Sequence, residues 1–492
     1  MPRQIGSAAP ESADTGFLGH PRGLLYLISA EGFWGFAYYG MVALLTLYMT
    51  RELFTPGHIG HVIGIGPYRA VQEALFGPMT PLALASQTFG LVTGLAYATP
   101  IVGGLISDRW LGQRRGIILG FAVLSIGHLL LVTEAGFLAA LLLIVVGAGF
   151  VKSNLTAQIG RLYAAGDARR TRGYGLFLIA VNVGGFVTPL VCGTLGEKVG
   201  YRYGLFAASI GMILALAVYL AGLRHMPPDI IQARPKAATP RDKVPALAKH
   251  QGMILLALGV LLVAQLLNVG TYNQAFNIFP VWAKAHVDLD VLGFQVPVTW
   301  FSTLDGAFTI LGTAVSVRVW ATLAKRGREP GDVLRATIGC GMTGMGFLIL
   351  GLASAAAGAG KVPILAGVGF FLFADFALAW VDVVVMSLVS RAAPEGWSTT
   401  MMGVFYLCYA GGNFIVGGLG TLYERMTPAG FWLTHAAIAA ASVVYLLVLG
   451  RWLRSVLAPA TRPETPETLA ALDEAAALEA PSKSAEIHPL TT

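Results

Sequence analysis

The sequence predicts an all-α membrane protein with twelve spanning helices arranged as two bundles of six. Three observations carry that prediction. Of 492 residues, 55% are hydrophobic and only 12% are Asp, Glu, Lys or Arg, about half the charge of a soluble domain. The mean hydropathy of +0.68 leaves too little polar surface to face water, which excludes a soluble enzyme. The apolar residues also fall into stretches of spanning length. A hydrocarbon core needs roughly 20 residues per helix, and such stretches lie near 24–49, 88–107, 116–134, 137–160, 173–194, 204–223, 252–280, 299–321, 334–354, 362–388, 397–419 and 430–451. These are spans 1 to 12. Sixty-one glycines fit helices that approach closely in lipid.

An even number of spans puts both termini on one side, and Lys and Arg decide which. With the N-terminus inside, the inner loops hold eighteen Lys and Arg against seven in the outer loops. Both termini are therefore expected in the cytoplasm. The net charge of +7 contains no basic run, so it reads as orientation and no nucleic-acid partner is expected. Cys192, Cys340 and Cys408 lie in apolar stretches, which gives no disulfide framework. Residues 1–22 lack an apolar core, so no cleaved signal peptide is expected. The expected organisation is a cytoplasmic tail at 1–23, a six-helix bundle at 24–223, a linker at 224–250, a second bundle at 251–452 and a disordered tail at 453–492. The linker is Pro-rich and basic, as a flexible tether would be. Two such halves around a cavity form the architecture of many secondary transporters. The outer loop 50–87 contains a helix-compatible piece, YRAVQEALFG, and the tail one short candidate helix at 468–480.

Two nucleotide-like motifs are set aside. GCGMTG at 339–344 lies inside an apolar span with no strand before it, so it reads as helix packing. GAGK at 358–361 lacks the remaining phosphate-loop spacing and reads as an outer turn. No metal-ligand or catalytic spacing occurs. The informative residues are ionisable groups within spans, which are costly unless they pair or work. They are Glu31 in span 1, Lys152 in span 4, Asp305 in span 8, and Asp375 and Asp382 in span 10. Four acids and one lysine suit a polar cavity for a solute carrying both charges. Helical spacing places Asp375, Leu378 and Asp382 on one face, where Asp382 with Asp305 suits an ammonium group. Lys152 suits a carboxylate on the opposite wall. Tyr38, Tyr39 and Tyr97 are cavity candidates, although aromatic residues in spans also serve as plain packing. Asp108, Arg109, Arg114 and Arg115, in GGLISDRWLGQRR, are expected to pair across helix ends and latch an inner gate.

These residues resemble the proton-dependent oligopeptide transporter family of the major facilitator superfamily, over about 24 to 450. EGFWGFAYYGM at 31–41 resembles the family's E-x-x-E-R-F-x-Y-Y-G. YATPIVGGLISDRWLG, GFVKSNLTAQIGRLY followed by GDARR, FLIAVNVGGFVTPLVCG, WFSTLDGAFTI and KRGREP extend the match. The resemblance implies the major facilitator fold. It also implies that Lys152 meets the peptide carboxylate and couples to Glu31, and that Tyr38, Tyr39, Tyr97 and Asn182 touch substrate. The departures are specific. The second Glu and the Arg of the span-1 motif are Trp34 and Gly35. The arginine after Tyr-Tyr-Gly is Val42, and its span-7 glutamate partner is Asn273. Losing both is consistent with physics, since either alone leaves an unpaired charge. The span-10 glutamate is Leu378, with Asp382 about 6 Å further along the axis, and the span-8 asparagine is Asp305.

The expected function is import of di- and tripeptides or peptide-like, amine-bearing solutes by proton symport with alternating access, across the plasma membrane (the inner membrane of a Gram-negative cell). Substrate contacts are Tyr38, Tyr39, Tyr97, Lys152, Asn182, Asn273, Asp305 and Asp382. Proton coupling falls to Glu31, Lys152, Asp305 and Asp382, and the gate to Asp108, Arg109 and Arg114. The proton gradient supplies energy, no cofactor or metal is expected, and the lipid bilayer is the one obligate surrounding, with no obligate protein partner. Alternatives are an uncoupled uniporter or exporter of an amine-bearing metabolite, and a solute sensor that binds without transport.

Overall fold

Each apolar stretch becomes a helix. The computed structural model describes residues 16–164, 167, 169–229, 249–394 and 397–457. Most of the linker and of both tails, including the candidate helix at 468–480, lies outside the described residues. The twelve spans are Arg22–Leu53, Pro81–Leu111, Gln113–Leu131, Phe137–Arg161, Arg169–Lys198, Tyr201–Ala221, His250–His286, Val298–Lys325, Asp332–Ala357, Ile364–Ala392, Thr400–Arg425 and Pro428–Leu457. The all-α fold class is borne out.

Span 2 begins at Pro81, earlier than its apolar run suggests. Ser86, Gln87 and Thr88 interrupt the run, yet all three are buried. Inside the bundle Ser86 Oγ donates to the Gly417 carbonyl at 3.0 Å and Thr88 Oγ1 to that of Leu84 at 2.7 Å. The helix starts with a proline in its first turn and a capped end, the Thr80 side chain accepting from the Ala83 amide. In the loop between spans 1 and 2, Ile65–Phe76 forms a separate helix, where the helix-compatible piece was read.

Packing sorts the spans into two groups. Span 1 lies on spans 5 and 6, span 4 on spans 2 and 3, and span 3 on span 6. In the second group span 9 lies on spans 10 and 12, span 8 on span 10, and span 7 on spans 11 and 12. The halves meet chiefly where span 2 crosses span 11 and span 5 crosses span 8.

Two helices are interrupted where they pass the middle of the bundle. Span 7 runs helically to Tyr272, tightens into a 3-10 turn at Asn273–Ala275 and resumes at Ile278. The helix of span 10 ends at Trp380 and a second begins at Asp382, with Val381 between them at φ −105° and ψ −67°, still in the right-handed region.

Candidate functional site

Lys152 projects from the unbroken helix of span 4, and its ammonium sits 3.7 Å from the centre of the Tyr97 ring of span 2. A cation over an aromatic face is stabilised by the ring quadrupole. Tyr97 in turn stacks on Tyr409 of span 11, with ring centres 5.1 Å apart. This stack joins the halves directly below their crossing. On span 1, Tyr38 stacks on Trp34 with centres 5.3 Å apart and meets Tyr39 edge-on. Trp34 thus fills the place of the family's second acid with an aromatic plane. Glu31 is buried, and Lys152 is the charge that acts on it, although no ion pair within 4.0 Å joins them.

The acids of the second half form two stations along span 7. At one, the Tyr272 hydroxyl contacts Asp305 of span 8 and lies 2.8 Å from Asp375 Oδ1 of span 10. At the other, Gln265 Nε2 donates to Asp382 Oδ1 at 2.6 Å, with Tyr409 beside the same carboxylate. Gln265 and Tyr272 are seven residues apart, hence about 10 Å along one helix face. Asp305 and Asp382 are thus each held by a different side chain of span 7.

Asn182 of span 5 donates to its own helix at Leu178 (2.8 Å), and its carbonyl lies against Gly306, next to Asp305. Asn273, at the span-7 break, donates to Asn413 Oδ1 at 3.3 Å, a neutral contact where the family carries a charged one. Tyr38, Tyr39, Tyr97, Lys152, Asn182, Asn273, Asp305 and Asp382 are all part-buried, as cavity walls must be. Asp375, in contrast, is fully buried.

The inner latch is arranged differently from expectation. Asp108 and Arg109 lie in a wide helical turn, Ser107–Leu111, and make no ion pair among the described residues. Arg114 instead takes Asp229, at the start of the linker: its backbone amide donates to Asp229 Oδ1 at 2.7 Å, and its guanidinium reaches the Met226 carbonyl. An aspartate at the first turn of span 3 satisfies amides that lack a helical partner. This ties the linker to the first half and leaves Asp108 out.

The polar ties between halves that sequence reasoning missed lie at the opposite end, away from the chain termini. Asn277 of span 7 accepts from Thr46 of span 1 (3.2 Å) and donates to Ser86 of span 2 (2.7 Å). Glu197 of span 5 binds Lys284 at 2.6 Å and both the amide and hydroxyl of Thr299 at 2.9 Å. Trp300 donates to Thr194, and Thr80 to Glu424. The structure is latched at this end. The polar run Tyr272–Asn277 inside an apolar span was the signal available for it.

One group of side chains has metal-ligand proximity. The ligand atoms of His58, His61 and Glu134 lie within 4.8 Å of one another. Glu134 is engaged already, by His58 at 2.8 Å, His61 at 2.7 Å and the Arg202 guanidinium. Hydrogen bonds from the two histidines hold its carboxyl below the usual range. A group with a depressed folded pKa stabilises above its unfolded value and loses that contribution as pH falls through the folded one. The melting temperature of the wild type should therefore exceed that of Glu134→Gln at neutral pH, and the gap should close under acid. A gap independent of pH would exclude the ionised clasp.

Comparison with known proteins supplies the family. Residues 69–417 match the Major Facilitator Superfamily. The chain belongs to that superfamily. This transporter is 27% identical to the di-/tripeptide transporter of Lactococcus lactis subsp. cremoris, over 88% of its own length and 96% of the relative's. It is 24% identical to a peptide transporter of Yersinia enterocolitica, over 88% and 94%. Among solved structures, a peptide transporter POT in complex with sulfate superposes with a TM-score of 0.78 at 23% identity, covering 90% of this chain and 97% of that one. A POT family transporter in complex with 5-aminolevulinic acid gives 0.75 at 21%, covering 89% and 98%. The resemblance to the proton-dependent oligopeptide transporters is borne out. The protein is a multi-pass transporter of the cell membrane and not an enzyme.

Proposed function

We propose that this transporter imports di- and tripeptides or peptide-like, amine-bearing solutes together with protons, alternating between two arrangements of its halves. The observation that carries this is charge opposition between the two halves. Lys152 stands on the Tyr97 ring in the first half, and the acids of spans 8 and 10 stand in the second. A zwitterion of peptide length spans such a gap, its carboxylate toward Lys152 and its ammonium toward Asp382 and Asp305, with Tyr38, Tyr39, Asn182 and Asn273 along the walls. Glu31, Lys152, Asp305 and Asp382 form the proton-coupling set. The termini face the cytoplasm on the Lys and Arg distribution, so the latched end is outer and the cavity opens inward. Asp108, Arg109 and Arg114 lie at the inner mouth, where they act when the halves tilt the other way. The reading calls on no cofactor besides the proton gradient, and its partners are the solute and the bilayer.

Uncoupled movement of an amine-bearing metabolite is the second reading. It is favoured by Val42 and Asn273, which stand where the family has a charged pair, with Asn273 turned to a neutral partner, Asn413. Counterflow of labelled dialanine in proteoliposomes, with and without an inward proton gradient, separates the two. Exchange with gradient-driven accumulation is expected. Exchange without accumulation would favour the uncoupled carrier, and no exchange would remove peptides from the substrate class.

A further inference from the structure

Asp375 received no role from the sequence, yet it is the most enclosed ionisable group of the second half. Its side chain is fully buried, one oxygen lies 2.8 Å from the Tyr272 hydroxyl, and the other has no hydrogen-bond partner. The same hydroxyl contacts Asp305, which is part-buried. A phenol carries one hydrogen. It cannot donate to both carboxyl groups, so one of the two contacts must take its hydrogen from a carboxylic acid. The groups facing the pair give no alternative charge balance. The ionisable groups acting on either acid are the other acid and Tyr272, and Tyr39 and Tyr97 are the further hydroxyls that sense Asp305. Two ionised carboxylates on one buried hydroxyl would repel each other.

We infer that Asp305 and Asp375, bridged by Tyr272, are the site that holds the transported proton. This rests on the symport reading above and sharpens it, separating the proton from the amine, which falls to Asp382 one station along span 7. Asp305, part-buried, exchanges the proton with the cavity, and Asp375 stores it. Loss of the proton to the inner side leaves two carboxylates on one hydroxyl, and their repulsion parts span 8 from span 10. Protonation is thereby coupled to the packing of the second half.

The test uses the full chain in proteoliposomes with a pH-sensitive dye in the lumen. In the wild type, dialanine entry should acidify the lumen. In Asp375→Asn, dialanine should still exchange under counterflow while the accompanying acidification is lost. Acidification per dialanine equal to the wild type's would overturn the inference. A wild type that exchanges without acidifying would instead remove the symport reading itself. Should Asp375→Asn not assemble, Tyr272→Phe keeps both acids and removes the bridge. It should shift the pH at which accumulation is half-maximal, and an unshifted profile would equally overturn the assignment.

Discussion

Lys152→Ala is expected to abolish both accumulation and counterflow of dialanine. The ammonium lies over the Tyr97 ring on one side and acts on buried Glu31 on the other. Its removal has two costs. A charge-assisted hydrogen bond to a substrate carboxylate contributes about 1.5–3 kcal/mol, which is roughly tenfold to a hundredfold in affinity. The truncation also strips Glu31 of the cation that balances it, and an uncompensated buried charge costs several kcal/mol. Both effects act on the same cycle, so loss should be complete. Lys152→Gln keeps most of the side-chain volume and removes only charge, and it should fail alike. Uptake by either variant near the wild-type rate, at equal protein per vesicle, would remove Lys152 from the substrate site.

The spans were legible because an apolar run of membrane length has few competing explanations, and the motifs around Tyr38, Lys152 and Asp108 supplied the family. What stayed hidden depends on pairing between distant residues. Asp305 and Asp382 looked like one pocket because their separate partners on span 7, Tyr272 and Gln265, lie far from both acids in sequence. Tyr272 sits in sequence as one more aromatic residue of an apolar span, and only folding brings two carboxyl groups to it. The latched end was missed for a similar reason. Ser86 and Gln87 lowered the apolarity at the start of span 2 and were read as loop, although both are buried and Ser86 bonds across the halves. Arg114 illustrates the converse, where a motif drew attention to Asp108 while the nearer anion, Asp229, came from the linker.

Gly90→Val should lock the transporter open at the end that is latched here. Span 2 crosses span 11 at backbone distance: a Cβ on Gly90 would lie 2.5 Å from the Asn413 carbonyl oxygen and 2.7 Å from the Gly417 backbone. Neither obstacle is the movable tip of a side chain, so the helices themselves must separate. Overpacking of this kind costs about 1–3 kcal/mol, and it falls on the latched state alone because the two helices part when that end opens. A bias of one or two kcal/mol shifts a two-state population roughly fivefold to thirtyfold. The same separation stretches the Asn277–Ser86 and Thr80–Glu424 ties, so the closed state loses its polar fastening along with its packing. Cysteines placed at T80C and E424C report the outcome. They should cross-link readily in the parent protein and poorly once Gly90→Val is added, with transport lost in parallel. Gly90→Ala, which adds the clashing atom without the branch, should fall between the two. Cross-linking and transport that match the parent in both variants would mean that the crossing of spans 2 and 11 does not govern closure.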